Sequence, residues 1–191
     1  MTEDLSQEYD LFISYRSESS GRHAAALRDA LYAFDKRHSG KGLRIFLDRI
    51  SLRNGPLDEH IKKGLGLSRH LVVLVDSTTR KSPWVDTEIR TWLELGGSTE
   101  RLFLVRTDQV NLRWGGEDFE SPEQLPEALS GLFKTEQKYT EFTVSPRRAK
   151  DIDLVPLYSS VTGQDPDSLK VDELRFRSRQ RVRNNLILAV L

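Results

Sequence analysis

Four short apolar runs divide the first half of the chain: YDLFISY (9–15), LRIFL (43–47), HLVVLV (70–75) and RLFLV (101–105). Their apolar positions serve both faces of a strand, the pattern of strands buried on two sides. Between them the apolar period changes to that of helices. HAAALRDALYAF sets Ala24, Leu27, Leu31 and Phe34 on one stripe and stops near Gly40-Lys41-Gly42. PLDEHIKKGLGL has Pro56 in a permissible first turn, with Ile61 and Leu65 on one face. SPWVDTEIRTWLEL starts with Ser82 as N-cap and Pro83 at the first helical position, and Gly96-Gly97 ends it. Alternation of strand and helix predicts an α/β fold, a parallel sheet covered by helices on both faces. A fifth strand is expected in KYTEFTV (138–144), after a loop containing NLRWGGEDFESPEQLP and a short helix near Glu127 to Phe133. From Ser145 the chain reads as helical with a break at Gly163, and Asp165-Pro166 opens a last helix through DSLKVDELRFRSRQRVR. The domain boundary is placed near 160, giving a domain at 8–160 and a helical extension at 161–191.

One residue breaks this pattern. On a helical wheel at about 100° per residue, Trp84, Val85, Ile89, Trp92, Leu93 and Leu95 form one half of the third helix. Asp86, Thr87, Arg90, Thr91 and Glu94 form the other half. Glu88 lies in the apolar half, between Trp84 and Trp92, where an unpaired carboxylate would cost several kcal/mol, roughly, on burial.

Composition narrows the chemistry. The 191 residues carry 29 basic and 29 acidic side chains, so no global charge draws the chain toward nucleic acid. The absence of cysteine excludes disulfides, thiolate metal sites and thiol catalysis, and fits a reducing compartment. His23, His38, His60 and His70 are scattered without metal-ligand spacing, so no metal site is expected. The start, MTEDLSQEYD, is acidic and polar, unlike a secretory signal.

The strand ends gather the polar residues: Tyr15-Arg16, Asp48-Arg49, Asp76-Ser77 and Arg106-Thr107-Asp108. In a five-stranded sheet of order 2-1-3-4-5 a ligand binds where the strand order reverses, between strands 1 and 3. Arg16 follows strand 1 and Trp84 to Glu88 follows strand 3, so a carboxylate, a cation and an aromatic plane converge there. That set suits a ligand with a flat base, a ribose and phosphates. Structural readings stand beside this one. Glu88 could pair with Arg16 or Arg90, Trp84 could be core, Arg16 could be a solvated loop residue, and Asp48 could cap the turn ahead of Asn54-Gly55. A dinucleotide-binding glycine turn is missing after strand 1, where the chain has RSESSG, and no P-loop occurs. A receiver domain would need clustered carboxylates after strand 1, where Arg16 stands.

Three ordered segments resemble the Toll/interleukin-1 receptor (TIR) domain family over about residues 8 to 145. YDLFISYRS is similar to its first box, FLDRISLRNGPLDEHIKKGLGLSRHLVVLV to its second strand, BB loop, second helix and third strand, and SPWVDTEI to its Ser-x-Trp-x-x-x-Glu helix start. The resemblance implies a flavodoxin-like fold and, for the members that cleave NAD, a catalytic glutamate at Glu88. It places Tyr15, Arg16, Asp48, Ser77 and Trp84 around the nucleotide, with NAD+ as substrate and no cofactor. It further implies self-association through a loop at Ser51, Leu52, Arg53, Asn54 and Gly55, activity on assembly, and a role in bacterial defence or signalling. The rival expectation is a TIR scaffold that assembles without chemistry. The chain departs from many members at Ser77-Thr78, where they have Ser-Pro, and at Val85, where they have Cys.

The tail, RFRSRQRVRNNLILAVL, places Arg175, Arg177, Arg179, Arg181 and Arg183 before an apolar run, Leu186 to Leu191. Six residues cannot span a bilayer, which needs about 20. DLVPLYSSVTGQDPDSLKVDEL resembles the linker after bacterial TIR domains that precede a transmembrane helix, which implies a cytoplasmic location at the inner face of a membrane. A docked C-terminal helix is the alternative.

Overall fold

Strands that must be covered on both faces need helical connections that cross from one strand to the next in the same direction. The computed structural model has this form. It describes residues 8–47, 59–108, 110–136, 139–142 and 154–190, with side chains as far as Arg179. Asp48, the loop Ser51 to Gly55 and Pro56 lie outside the described residues.

The elements run β1 (Tyr9–Ser14), α1 (Ser17–His38), β2 (Ile45–Phe46), α2 (Glu59–Gly66), β3 (Ser68–Val75), α3 (Pro83–Glu94), β4 (Leu102–Arg106), β5 (Tyr139–Glu141), α4 (Val155–Thr162) and α5 (Pro166–Val190). The sheet order is β2-β1-β3-β4-β5 and every pairing is parallel. This is the parallel α/β sheet expected from the alternation of elements, with the flavodoxin-like order that the TIR resemblance implies. Two units make up the chain, the first ending at Asp153 and the second starting at Leu154. α4 therefore groups with α5, and Gly163, at φ 71, closes α4. Asp165 caps α5 by accepting from the Ser168 amide at 2.8 Å. Leu169 of α5 is buried, whereas Val171, Leu174 and Phe176 are exposed.

Alternation along the strands assigns the faces. Phe12 on β1 and Leu71, Val73 and Val75 on β3 pack in one cluster with Ile61 and Leu65 of α2 and Val85, Ile89 and Trp92 of α3. The intervening residues Leu11, Ile13, Val72 and Leu74 are fully buried as well and point the other way, the side left for the Ala24, Leu27, Leu31 and Phe34 stripe of α1. His70 is a polar residue inside this slab. Its Nδ1 lies 3.0 Å from the Asp10 carbonyl, and burial draws its pKa below the usual histidine value.

Several elements differ from the sequence expectation. α1 begins at Ser17, well before His23, because Ser19 and Ser20 direct their hydroxyls to Asp76 instead of competing with the helix backbone. β2 keeps two residues, since this edge strand has only β1 to pair with and Asp10 ties its approach through the Arg44 amide at 2.8 Å. The expected helix from Glu127 to Phe133 is a single 3-10 turn, Glu127–Leu129, held to α3 by the Ala128 amide on Asp86 at 2.7 Å. On α3 itself, Thr91 is buried and Leu95, the C-cap, is 53% exposed, because the helix ends before Leu95 can turn inward.

The end of α3 uses two glycines for two reasons. The Gly97 amide donates to Trp92 O at 2.9 Å and the Gly96 amide to Leu93 O at 3.1 Å, the paired bonds of a Schellman stop. Gly96 supplies the left-handed residue at φ 88, with open space around it. Gly97 has no such φ, but a Cβ there would sit 2.3 Å from the Trp92 indole. Gly96→Ala is expected to cost about 1 kcal/mol from backbone strain alone. Gly97→Ala is expected to cost about 2–3 kcal/mol, because the buried Trp92 must shift. Urea midpoints of the two variants check this order, and equal losses would refute the indole contact as the cause.

Candidate active site

The parity that buries Phe12 against α3 carries Ser14, two residues on, to the same face. Ser14 is the last residue of β1 and pairs in register with Val73. On α3, Ser82 accepts from the Val85 amide at 3.4 Å and Pro83 occupies the first turn, so the helix starts where the wheel required. Its second turn then brings Glu88 over the end of β1. The Ser14 hydroxyl donates to Glu88 Oε2 at 2.5 Å, and both side chains are buried, Glu88 at 5% exposure. The misplaced carboxylate thus lies at the β1/β3 crevice with one oxygen held by a hydroxyl.

Trp84 stands one turn before Glu88 on the same side of α3 and is half-buried. Tyr15 and Arg16 leave β1 directly. The Tyr15 ring turns back toward the first turn of α1, where a Cβ on Gly21 would lie 3.7 Å from its Cε2. The Arg16 guanidinium pairs with Glu18 and donates to the Thr78 carbonyl at 3.3 Å, so it bridges the loops after β1 and β3. Arg90, a proposed ion-pair partner for Glu88, pairs with Asp86 at 2.7 Å on the exposed side of α3. Ser77 faces away from this pair of loops and donates to Asp108 at 2.8 Å, beyond β4. Asp48 and the residues Ser51, Leu52, Arg53, Asn54 and Gly55 lie outside the described residues.

The sequence pattern left Ser14 unremarked and set Asp76 at the end of the third strand without a role. Ser14 could have been found from alternation, as a hydroxyl in a position where a central strand ordinarily carries an aliphatic side chain. Asp76 could have been found from the serines of RSESSG, which need an acceptor once they enter a helix. Its carboxylate accepts from Ser19 at 2.6 Å, from Ser20, and from the Thr78 amide and hydroxyl, each at 2.7 Å. Thr79 adds a further bond at 3.1 Å. Asp76 therefore ties the start of α1 to the turn that precedes α3, and so sets the width of the crevice. Burial acts to raise its pKa, but the hydroxyl and amide donors outweigh burial and lower it to about 2.

This pKa makes Asp76 a pH-dependent latch. The folded value lies below that of an ordinary aspartate, so the stabilisation is complete above about pH 4 and is lost as pH falls through about 2. Asp76→Asn is expected to cost about 2 kcal/mol at pH 7, with the gap to wild type closing between pH 4 and pH 2. Urea unfolding at stepped pH measures the gap; a constant difference across that window would refute the latch.

Comparison with known proteins places this geometry in a family. A family model described as TIR domain matches residues 11–132, from β1 past β4. The chain is 29% identical over 198 residues to a protein of Actinoplanes sp. named NAD(+) hydrolase ApTIR, with 95% of this chain and 27% of that protein covered. It thus spans about a quarter of the length of the curated relative it matches. A solved structure of the activated Roq1 resistosome directly recognising the pathogen effector XopQ, in its TIR domains, aligns with 82% of this chain and 82% of its own at 19% identity and a TM-score of 0.43. With well over half of its residues matched, β1, β3 and α3 among them, the chain belongs to the TIR domain family.

Proposed function

We propose that this TIR domain cleaves NAD+ at the bond between nicotinamide and ribose, with Glu88 as the catalytic carboxylate. The observation that carries the reading is the burial of Glu88 at the β1/β3 crevice, with one oxygen bonded to Ser14. The likeness to a named NAD(+) hydrolase supports it. Nicotinamide leaves with the electron pair of the broken C–N bond and becomes neutral, so the leaving group needs no proton. The barrier lies in the oxocarbenium-like ribosyl centre, as in glycoside hydrolysis. A fixed carboxylate in a water-poor site stabilises that positive charge more than solvent does. Trp84 supplies a surface on which a base stacks. Arg16 is proposed to meet the pyrophosphate on the route from β1, with Tyr15 and Asp48 as further proposed contacts; Ser77, bonded to Asp108, would have to turn from that partner to reach the nucleotide. Capture of the ribosyl centre by water gives ADP-ribose and a proton; capture by a nitrogen of the adenine gives a cyclic product.

We place the loop Ser51 to Gly55 at the contact between copies, so that assembly completes the site. Protein clustered on beads is expected to consume NAD+ and release nicotinamide, and Glu88→Gln is expected to lower that rate by about 100-fold or more. Assembly and melting temperature are measured on the same samples. Equal turnover by the variant would remove Glu88 from catalysis, and assembly of wild type without NAD+ loss would favour a scaffold.

α5 motivates a second assignment. Along its described part Val171, Leu174 and Phe176 are exposed beside Arg175, Arg177 and Arg179. Among the described residues no helix is long and apolar enough to cross a membrane. We assign this helix to the surface of an anionic membrane, with the TIR domain on the cytoplasmic side. Each basic residue near anionic lipid contributes about 1 kcal/mol. Binding to phosphatidylserine vesicles is expected to fall with salt and to vanish on truncation after Lys170, with the fold and NAD+ cleavage retained. Salt-insensitive binding, or unfolding on truncation, would overturn the assignment.

A further inference from the structure

We infer that Ser14 is a positioning residue for Glu88, its hydroxyl holding the carboxylate oxygen Oε2 in the orientation that bond cleavage uses. For its kinetic readout the inference rests on the NAD+-cleaving reading; for its effect on the carboxylate it stands alone.

The placement of Ser14 is costly unless it is used. It ends the central strand β1 at 0% exposure, with Ile13 on one side in sequence and Val73 opposite in register. A buried hydroxyl without a partner is destabilising, and Val or Ile would fit such a strand better. The hydroxyl has one proton, and it lies 2.5 Å from Glu88 Oε2 across 74 residues of sequence.

Two consequences follow for the carboxylate. A donor fixed to a β-strand selects one Glu88 rotamer, whereas a loop donor would allow several. A donor to the charged form also opposes the effect of burial, which favours the neutral acid. An ionised, oriented carboxylate is what a developing ribosyl cation needs. A neutral Glu88 would offer little stabilisation. Ser14 therefore acts through Glu88 and needs no contact with the substrate. Two residues on, Arg16 bridges the loops after β1 and β3 through the Thr78 carbonyl, so the end of β1 both orients the carboxylate and ties the flanking loops together.

Two measurements on Ser14→Ala and Ser14→Thr decide the matter. In the first, carbon-13-labelled glutamate is followed through a pH titration of the whole chain. Loss of the hydroxyl in Ser14→Ala is expected to raise the Glu88 midpoint by about one pH unit, and Ser14→Thr to return it toward wild type. In the second, nicotinamide release by bead-clustered protein is expected to show kcat lower by roughly tenfold in Ser14→Ala, with KM little changed. Its acid limb should move to higher pH, and Ser14→Thr should recover most of the rate. A purely structural bond would change the melting temperature and leave the pH profile in place. An unmoved Glu88 midpoint in Ser14→Ala overturns the pairing whatever the kinetics. A moved midpoint with unchanged kcat overturns the positioning role. Assembled wild type that releases no nicotinamide overturns the NAD+ reading instead, and the titration still decides the Ser14 pairing.

Discussion

Covering β1 and β3 on both faces is the constraint from which the rest of this structure follows. Parallel strands in such a slab leave no solvent for a polar side chain along their length, so polarity is pushed to the strand ends or must be paired where it stands. His70 meets the second condition through the Asp10 carbonyl. Ser14 and Glu88 meet it through each other. Asp76, at the carboxyl end of β3, meets it by collecting donors from two loops. His70, Ser14, Asp76 and Glu88 thus lie on a central strand, at its carboxyl end, or on the helix packed over that end.

The division between stability and chemistry is visible in these pairs. Asp76 binds Ser19, Ser20 and Thr78, and so fixes the approach of α1 to the turn before α3. Arg16 adds a second bridge between the same loops through Thr78 O. Together they tie the two loops that flank the crevice. Glu88 is different, because it is buried at 5% exposure and takes a bond from a small hydroxyl donor, Ser14. An aliphatic pair in those two positions would pack as well at lower cost, which argues that the charge is retained for what it does.

The Schellman stop and the Trp92 contact show how α3 keeps its register. Gly97 lies so close to the indole that a Cβ there would force Trp92 to shift, and the Arg101 guanidinium lies 5.6 Å from a Trp92 ring centroid while donating to Gly96 O at 3.2 Å. The helix is thus pinned at its far end by Trp92 and at its near end by the Ser82 cap. Glu88, midway, has no freedom to slide along β1. A carboxylate with the role proposed for Glu88 benefits from such fixed ends.

What the amino-acid sequence determined by itself was the alternation of strands and helices and the anomaly at Glu88, while the sheet order came with the resemblance to the TIR family. Apolar period and capping residues are local, and they dictate α3 from Ser82 to the glycine stop without any tertiary information. The same local rules located Trp84, Tyr15 and Arg16 at strand and helix ends. Tertiary structure alone decided which polar groups meet. That Ser14 reaches Glu88 depends on the parity of β1 relative to a helix 74 residues away. Ser77 turns to Asp108 because β4 lies next to β3 in the sheet. The serines of α1 became helical because an aspartate from another strand accepted their hydroxyls, and Leu95 lost its expected burial because the stop came one residue before its side chain could turn inward. In each case the deciding energy is a contact between segments distant in sequence, and no local pattern encodes its partner.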